Sequence, residues 1–168
     1  EKPDYVFSGI NHGSNAAVSV IYSGTMGVAI EAGLHRIPAA GFSLLNHSQN
    51  ADFTLAEKVA DRVISKMMEN NLPERVVLNV NIPDITTEQY RGAEICRQTF
   101  GVWKGEFDKR IDPVGIKYYW LTGYFENNEG GMPDTDEYVL ANNKASIVPV
   151  KADLTDHETL ASISDWNI

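Results

Sequence analysis

Val76-Val77-Leu78-Asn79-Val80-Asn81-Ile82, closed by Pro83-Asp84, restricts the fold of this chain more than any other stretch. A largely apolar run that ends on proline suits an interior strand of a parallel sheet. It is the last member of an alternating series. Tyr5-Val6-Phe7 reads as a short strand ending on Ser8-Gly9, and Thr25 to Gly33 as a helix with Gly33 as its C-cap. Ile37 to Ser43 reads as a second buried strand. Thr54 then caps an amphipathic helix reaching about Asn70, with Leu55, Val59, Val63, Ile64 and Met67 at helical spacing, and Leu72-Pro73 stops it. Strand, helix, strand, helix, strand predicts an α/β protein.

The pattern changes beyond Pro83. Arg97 to Trp103 and Lys117 to Leu121, on either side of the turn-like Asp112-Pro113-Val114-Gly115, predict a long β-hairpin. Glu126 to Asp136 has loop composition, Ala145 to Val150 reads as a strand whose Pro149 favours an edge or a terminus, and Asp156 to Asp165 reads as a closing helix. Residues 1–92 are thus expected to form the α/β core, and residues 93–168 a hairpin arm, a final strand and a C-terminal helix appended to the same domain. Three strands are few for a doubly wound sheet, so the rest of the sheet is expected from sequence preceding Glu1.

Charge narrows the function. A net charge of −9 and a pI near 4.8 offer no basic stripe for a long polyanion. They leave room for a small phosphorylated ligand, which backbone amides, hydroxyls and a divalent cation can hold. The lone Cys96 forms no internal disulfide and is expected to be a small buried hydrophobe. Glu-Lys-Pro-Asp at the start does not resemble a secretory signal, and the least charged stretch, His12 to Ile30, is too polar to span a membrane. The expected location is cytoplasmic.

Candidate chemistry concentrates between Ser8 and Thr25, a polar loop placed at the carboxyl end of the first strand, where open α/β sheets bind ligands. Asn11 offers a neutral carboxamide oxygen to a hard cation without cancelling its charge. Asn15, the Ser23 and Thr25 hydroxyls and the amides near Gly24 can grip phosphate oxygens at a helix opening. The plainer reading of the same residues is side-chain turns after a strand and an N-cap before a helix. Tyr22 is expected to pack, Glu31 to lie on the helix surface, and His35 and His47 to be surface groups, while His12 is a candidate for a pocket wall.

Ser8-Gly-Ile-Asn-His-Gly-Ser-Asn15, Tyr22-Ser-Gly-Thr25 with Glu31, Leu78-Asn-Val-Asn-Ile-Pro83 and Asp153-Leu-Thr-Asp-His157 together resemble the SurE family of metal-dependent nucleotidases, in order and spacing over essentially the whole chain. The resemblance implies a Rossmann-like three-layer α/β fold built on a parallel sheet, with a projecting hairpin and a C-terminal segment used in assembly. It implies hydrolysis of nucleoside monophosphates with Mg or Mn, Asn11 as a metal ligand, and Asn15, Ser23, Gly24 and Thr25 at the phosphate. It also implies Asn15, Asp153 and His157 as catalytic residues, the last two near the active site of a neighbouring subunit, where His157 is suited to proton donation. The implied partners are a nucleoside monophosphate and further copies of the chain in a homodimer or homotetramer, with no polymeric nucleic acid and no membrane. On the arm, Trp103, Tyr118, Tyr119 and Trp120 are expected to bury against such a partner, and Trp166 to anchor the C-terminus.

One departure matters. The family begins with a strand ending in Asn-Asp-Asp-Gly, whose Asp pair binds the metal and is followed by a Ser ligand, and this chain contains neither. Little or no turnover is therefore expected of these residues alone. A non-catalytic α/β module that binds an anion or mediates oligomerisation is the alternative.

Overall fold

In the computed structural model, which describes residues 2–166, the central sheet has five strands in the order β1-β2-β3-β9-β4. In chain order the elements are β1 (Val6–His12), α1 (Gly24–Leu34), β2 (Ala39–Leu44), α2 (Thr54–Glu69), β3 (Val76–Ile82) and β4 (Ala93–Ile95). Then follow β5 (Gly101–Lys104), β6 (Phe107–Ile111), β7 (Lys117–Leu121), β8 (Tyr124–Asn127), α3 (Asp136–Ala141), β9 (Ala145–Lys151) and α4 (His157–Ser162). A single 3-10 segment, Ala17–Tyr22, separates β1 from α1.

Side-chain alternation assigns the faces of the sheet. Phe42, Leu44, Val80 and Ile82 pack beneath Leu55, Val59, Val63 and Met67 of α2, while Ala39 and Val77 pack beneath Met26, Ala29 and Ala32 of α1. This gives the three layers that the family resemblance implies. Each large aliphatic group so buried contributes about 1.5–3 kcal/mol. Strands β1, β2 and β3 are parallel, as expected, but β9 runs antiparallel to β3, with Val76 opposite Lys151 and Asn81 opposite Ser146. The sheet is therefore mixed rather than wholly parallel.

Pro149 lies in an interior strand but at a local edge close to its end, within the expectation of an edge or a terminus. β9 lies between β3 and β4, but β4 covers only Ala145 to Ile147, so Pro149 falls where the second neighbour has ended and no ladder amide is needed.

The first strand runs further than its sequence suggests. It continues through Gly9 to His12, and a bulge shifts its register: Ser8 pairs with Gly41, whereas Asn11 pairs with Ser43. The inserted residue turns Asn11 toward the α1 face, alongside Ser43. Gly9 makes the bulge feasible. Its φ is +115°, and a Cβ there would run into the carbonyl oxygen of Phe42. Gly9→Ala is expected to cost about 2–3 kcal/mol, since strain and close approach act together. A chemical-denaturation curve of the variant within 0.5 kcal/mol of the parent would contradict the argument.

The arm has two storeys rather than one continuous hairpin. β6 and β7 form the outer pair around the Asp112–Gly115 turn, and β5 pairs with β8 at the root, with Trp103 opposite Phe125. Arg97 to Phe100 is accordingly not strand. The expected loop from Glu126 to Asp136 contributes the end of β8 and the start of α3. Most of the outer pair is exposed, Phe107, Tyr119, Trp120 and Leu121 among it. The closing helix is shorter than expected, α4 spanning His157–Ser162 with Asp156 as its N-cap, and it buries none of its residues. No helix among the described residues is long and apolar enough to cross a membrane.

Candidate active site

The loop after β1 crosses the carboxyl ends of β2 and β3 on the α1 face, and there the buried face changes from apolar to amide. Ser43, Asn79 and Asn81 occupy positions that hydrophobes fill further down the same strands, and all three are essentially inaccessible to solvent. Their partners explain the change. The Asn15 backbone N–H donates to Asn81 Oδ1 at 2.8 Å, Asn79 Nδ2 donates to the Asn15 carbonyl at 2.8 Å, and Asn81 Nδ2 donates to Asn79 Oδ1 at 3.0 Å. A loop backbone buried on a sheet must find partners for its amide groups, and two asparagines at i, i+2 on β3 supply them.

Asn11 and Asn15 meet above this platform. Asn15 Nδ2 donates to Asn11 Oδ1 at 2.9 Å and to Ser43 Oγ at 2.7 Å, and Ser43 Oγ donates to Asn11 Oδ1 at 2.8 Å. Asn11 Nδ2 donates to the carbonyls of His12 and Gly13, at 3.0 and 3.1 Å, which fixes the carboxamide with its oxygen toward Asn15 and Ser43. His12 is exposed, with Nδ1 3.2 Å from the Asn46 carbonyl and its ring edge-on to Phe53.

A second buried polar group sets the far end of the loop. Asp136, fully buried at the start of α3, accepts from the Ala17 N–H at 2.8 Å through Oδ2. Its Oδ1 accepts from the Thr99 N–H and hydroxyl at 2.9 and 2.6 Å. Ala17 sits at φ +52°, a conformation that a non-glycine residue holds only when its surroundings fix it. One carboxylate thus joins the site loop, the root of the arm and α3.

The remaining candidates make no hydrogen bond to the Asn11–Asn15–Ser43 cluster. Ser23 caps α1, its hydroxyl accepting from the Met26 N–H at 3.0 Å, while Thr25 packs over Gly41 of β2 and the Gly24 and Thr25 amides open the helix. Asp153 and His157 pair with each other at 3.1 Å on the surface. They follow Lys151, which is level with Val76 at the start of β3, whereas Asn81 is level with Ser146. The strand rise between those two levels is about 16 Å, so one copy of the chain does not bring Asp153 and His157 to Asn11. Ser23 and Asp153 instead line one cavity of about 720 Å³ beside β9, and Asn15 lines a different one. The Thr155 hydroxyl and amide, followed by His157, hold the Asp153 carboxyl down at about 2. Burial pushes the Cys96 thiol up to about 11, which makes it a poor nucleophile and fits the expected small buried hydrophobe.

Ser43 and Asp136 were not singled out by sequence, and Asn79 and Asn81 entered only as part of a resemblance motif, without a role. The asparagines carried a signal, because polar residues at i, i+2 in an apolar strand share one face and need partners there. Ser43 and Asp136 carried none that composition or spacing reveals.

Among the described residues no three His, Cys, Asp or Glu side chains cluster as a metal site. The donors gathered here are neutral oxygens and amides. Such a set can complete a site for a hard divalent cation and orient an anion, but supplies no charge of its own to hold the cation.

A layered α/β sheet of mostly parallel strands, with a carboxamide cluster at their carboxyl ends, defines a protein of the Rossmann-like class. The chain belongs to the SurE family: residues 1–105 match the family model described as Survival protein SurE. It is 50% identical over 167 residues to a protein of Christiangramia forsetii named 5'-nucleotidase SurE, covering 99% of this chain and 64% of that one. A protein of the same name from Flavobacterium psychrophilum is 46% identical, with 100% of this chain and 65% of that one covered. The crystal structure of the SurE protein from Aquifex aeolicus superposes with a TM-score of 0.80 at 34% identity, covering 98% of this chain and 65% of that chain. This chain therefore spans slightly less than two thirds of the relatives it matches.

Proposed function

We propose that the protein containing this chain is a metal-dependent phosphomonoesterase that hydrolyses nucleoside monophosphates. The observation that carries the reading is the Asn11–Asn15–Ser43 cluster, a set of oriented neutral donors at the carboxyl end of the sheet in a chain whose relatives are named 5'-nucleotidase. Bound Mg or Mn would supply Lewis-acid neutralisation of the phosphoryl oxygens.

Asn11 Oδ1 is the ligand this chain offers, and its approach to a cation exchanges with the hydrogen bonds from Asn15 and Ser43. The carboxylates that hold the cation come from outside these residues. Asn15 keeps the Asn11 carboxamide aimed and, when phosphate binds, turns an amide hydrogen to it; the Gly24 and Thr25 amides, with the Thr25 hydroxyl, complete the anion cradle. Ser23 contributes by capping the helix that presents them. Asp153 and His157 serve the site of a neighbouring copy, where His157 protonates the departing alkoxide and Asp153 orients its ring. Assembly into a homodimer or homotetramer uses the exposed arm and the C-terminal segment, and the protein works in the cytoplasm. The test is phosphate release from AMP by the full-length protein with Mg²⁺ or Mn²⁺, compared with Asn11→Ala. We expect kcat to fall about 100-fold in the variant, on the scale of losing one preorganised oxyanion contact. Equal turnover by parent and variant would overturn the assignment.

A further inference from the structure

α2 packs on β2 and β3, and beside it the same face of the sheet is left open. Leu78, Ile147 and Pro149 floor a groove of about 640 Å³ there, with Met67 of α2 on one wall and Ala93 and Ile95 of β4 on the other. Leu78 and Ile147 face α2, whereas Asn79 and Asn81 alternate to the α1 side, so the sheet separates this groove from the carboxamide cluster. We propose that the groove binds a free fatty acid, its chain on the apolar floor and its carboxylate held by Arg62 and the Tyr90 hydroxyl. The proposal is independent of the reaction assigned above.

Charge selects this occupant. The chain carries a net −9, yet no carboxylate lines the groove, and Arg62 and Lys66 stand on its α2 wall. An anion is therefore drawn to this place on a molecule that repels it as a whole. Lys66 is held by Glu69 at 2.6 Å, whereas Arg62 has no carboxylate partner among the described residues. One uncompensated cation beside a long apolar surface matches a ligand with a single charge at one end. Tyr90 adds a second donor. Burial pushes its phenol up, with the Arg62 charge acting the other way, so the hydroxyl keeps its proton and the guanidinium lies near enough to act on the same head group. The floor supplies the rest. Ile95 is 77% exposed and Pro149 is exposed beside it, apolar surface that an acyl chain covers with a gain of about fourfold in affinity for each methylene buried. From Arg62 to Asn70 the α2 wall runs about 12 Å, which accommodates a chain of medium length and is wasted on a short carboxylate.

The experiment titrates the full-length protein by calorimetry with octanoate, decanoate and dodecanoate, each below its micelle concentration. We expect affinity to rise about fourfold per methylene along the series. Arg62→Gln weakens dodecanoate about tenfold, on the scale of one hydrogen bond to a charged group. Ile95→Glu, which sets a like charge where the chain lies, weakens it by at least as much. Both side chains are exposed, so neither variant endangers the fold. Dodecyltrimethylammonium, with the same chain and the opposite charge, is expected not to bind. Affinity independent of chain length, equal binding of the cationic amphiphile, or dodecanoate affinity unchanged in both variants overturns the proposal. So does a parent that binds none of the three acids but whose dimer in sedimentation, or whose adsorption to phosphatidylcholine vesicles, is lost in Ile95→Glu, since the groove then belongs to a second copy or to a bilayer.

Discussion

Asp136→Ala is expected to destabilise the protein by about 4–5 kcal/mol, far more than an average substitution. The carboxylate is fully buried and accepts from the Ala17 N–H, the Thr99 N–H and the Thr99 hydroxyl. Truncation leaves those donors in a dry environment, at about 1–3 kcal/mol for each buried group left unpaired. It also releases Ala17 from φ +52°, so the loop carrying Asn15 loses its far anchor. Asp136→Asn discriminates between shape and hydrogen bonding. It fills the same volume and keeps an acceptor for Thr99, but faces the Ala17 N–H with an amide donor, so its cost falls between those of parent and alanine. Urea unfolding of the three proteins at one pH measures this. A loss below 1 kcal/mol for Asp136→Ala would show that water satisfies the orphaned groups and that the carboxylate is not the clasp described here.

Asp136 also shows why part of this molecule could not be read from sequence. The core elements were legible because each announces itself locally: the apolar run at Val76–Ile82 became β3 with the same limits, and the helical spacing from Leu55 to Met67 became α2. The carboxylate lies in a tract of loop composition, and three of its four hydrogen-bond donors come from Ala17 and Thr99, distant in sequence, the fourth being the Glu137 N–H. Only tertiary pairing gives it a role. The same holds for β1. A Gly after a short apolar run reads as a strand end, yet here it forms a bulge, because Phe42 on the neighbouring strand leaves space for no side chain and the chain pairs again two residues later. Asn11 is therefore a strand residue, held more firmly than a loop residue would be. The SurE resemblance implied a metal ligand at Asn11 and a phosphate contact at Asn15; the structure joins the two side chains by a hydrogen bond and adds Ser43 between them, a residue that the resemblance did not name.

The platform beneath Asn15 makes the second large effect a pH-dependent one. Asn81→Asp is expected to be tolerated near pH 4 and to cost about 4 kcal/mol at pH 7. Asn79 cannot rotate its amide freely, since its Nδ2 is committed to the Asn15 carbonyl, so its Oδ1 presents an acceptor to residue 81. A neutral carboxylic acid at position 81 reproduces the native pattern: one oxygen accepts the Asn15 N–H and the O–H donates to Asn79 Oδ1. The ionised form puts oxygen against oxygen in a site without solvent. Burial and that acceptor both raise the folded-state pKa of the introduced group above its unfolded value near 3.9, by about 3 units for a site this enclosed. Above pH 4 the unfolded chain therefore binds fewer protons than the folded one, and stability falls by about 1.4 kcal/mol per pH unit until the folded-state pKa is passed. Asn81→Ala, which has nothing to titrate, separates this from the loss of the asparagine itself: its deficit relative to the parent stays constant from pH 4 to pH 8. Urea midpoints of the three proteins across that range decide the matter, and a parallel offset for Asn81→Asp would mean that position 81 is wet or that Asn79 turns to meet the charge. Because Asn81 holds the backbone of Asn15, the rate of phosphate release in the full-length variant should follow the same titration, falling as the carboxyl ionises.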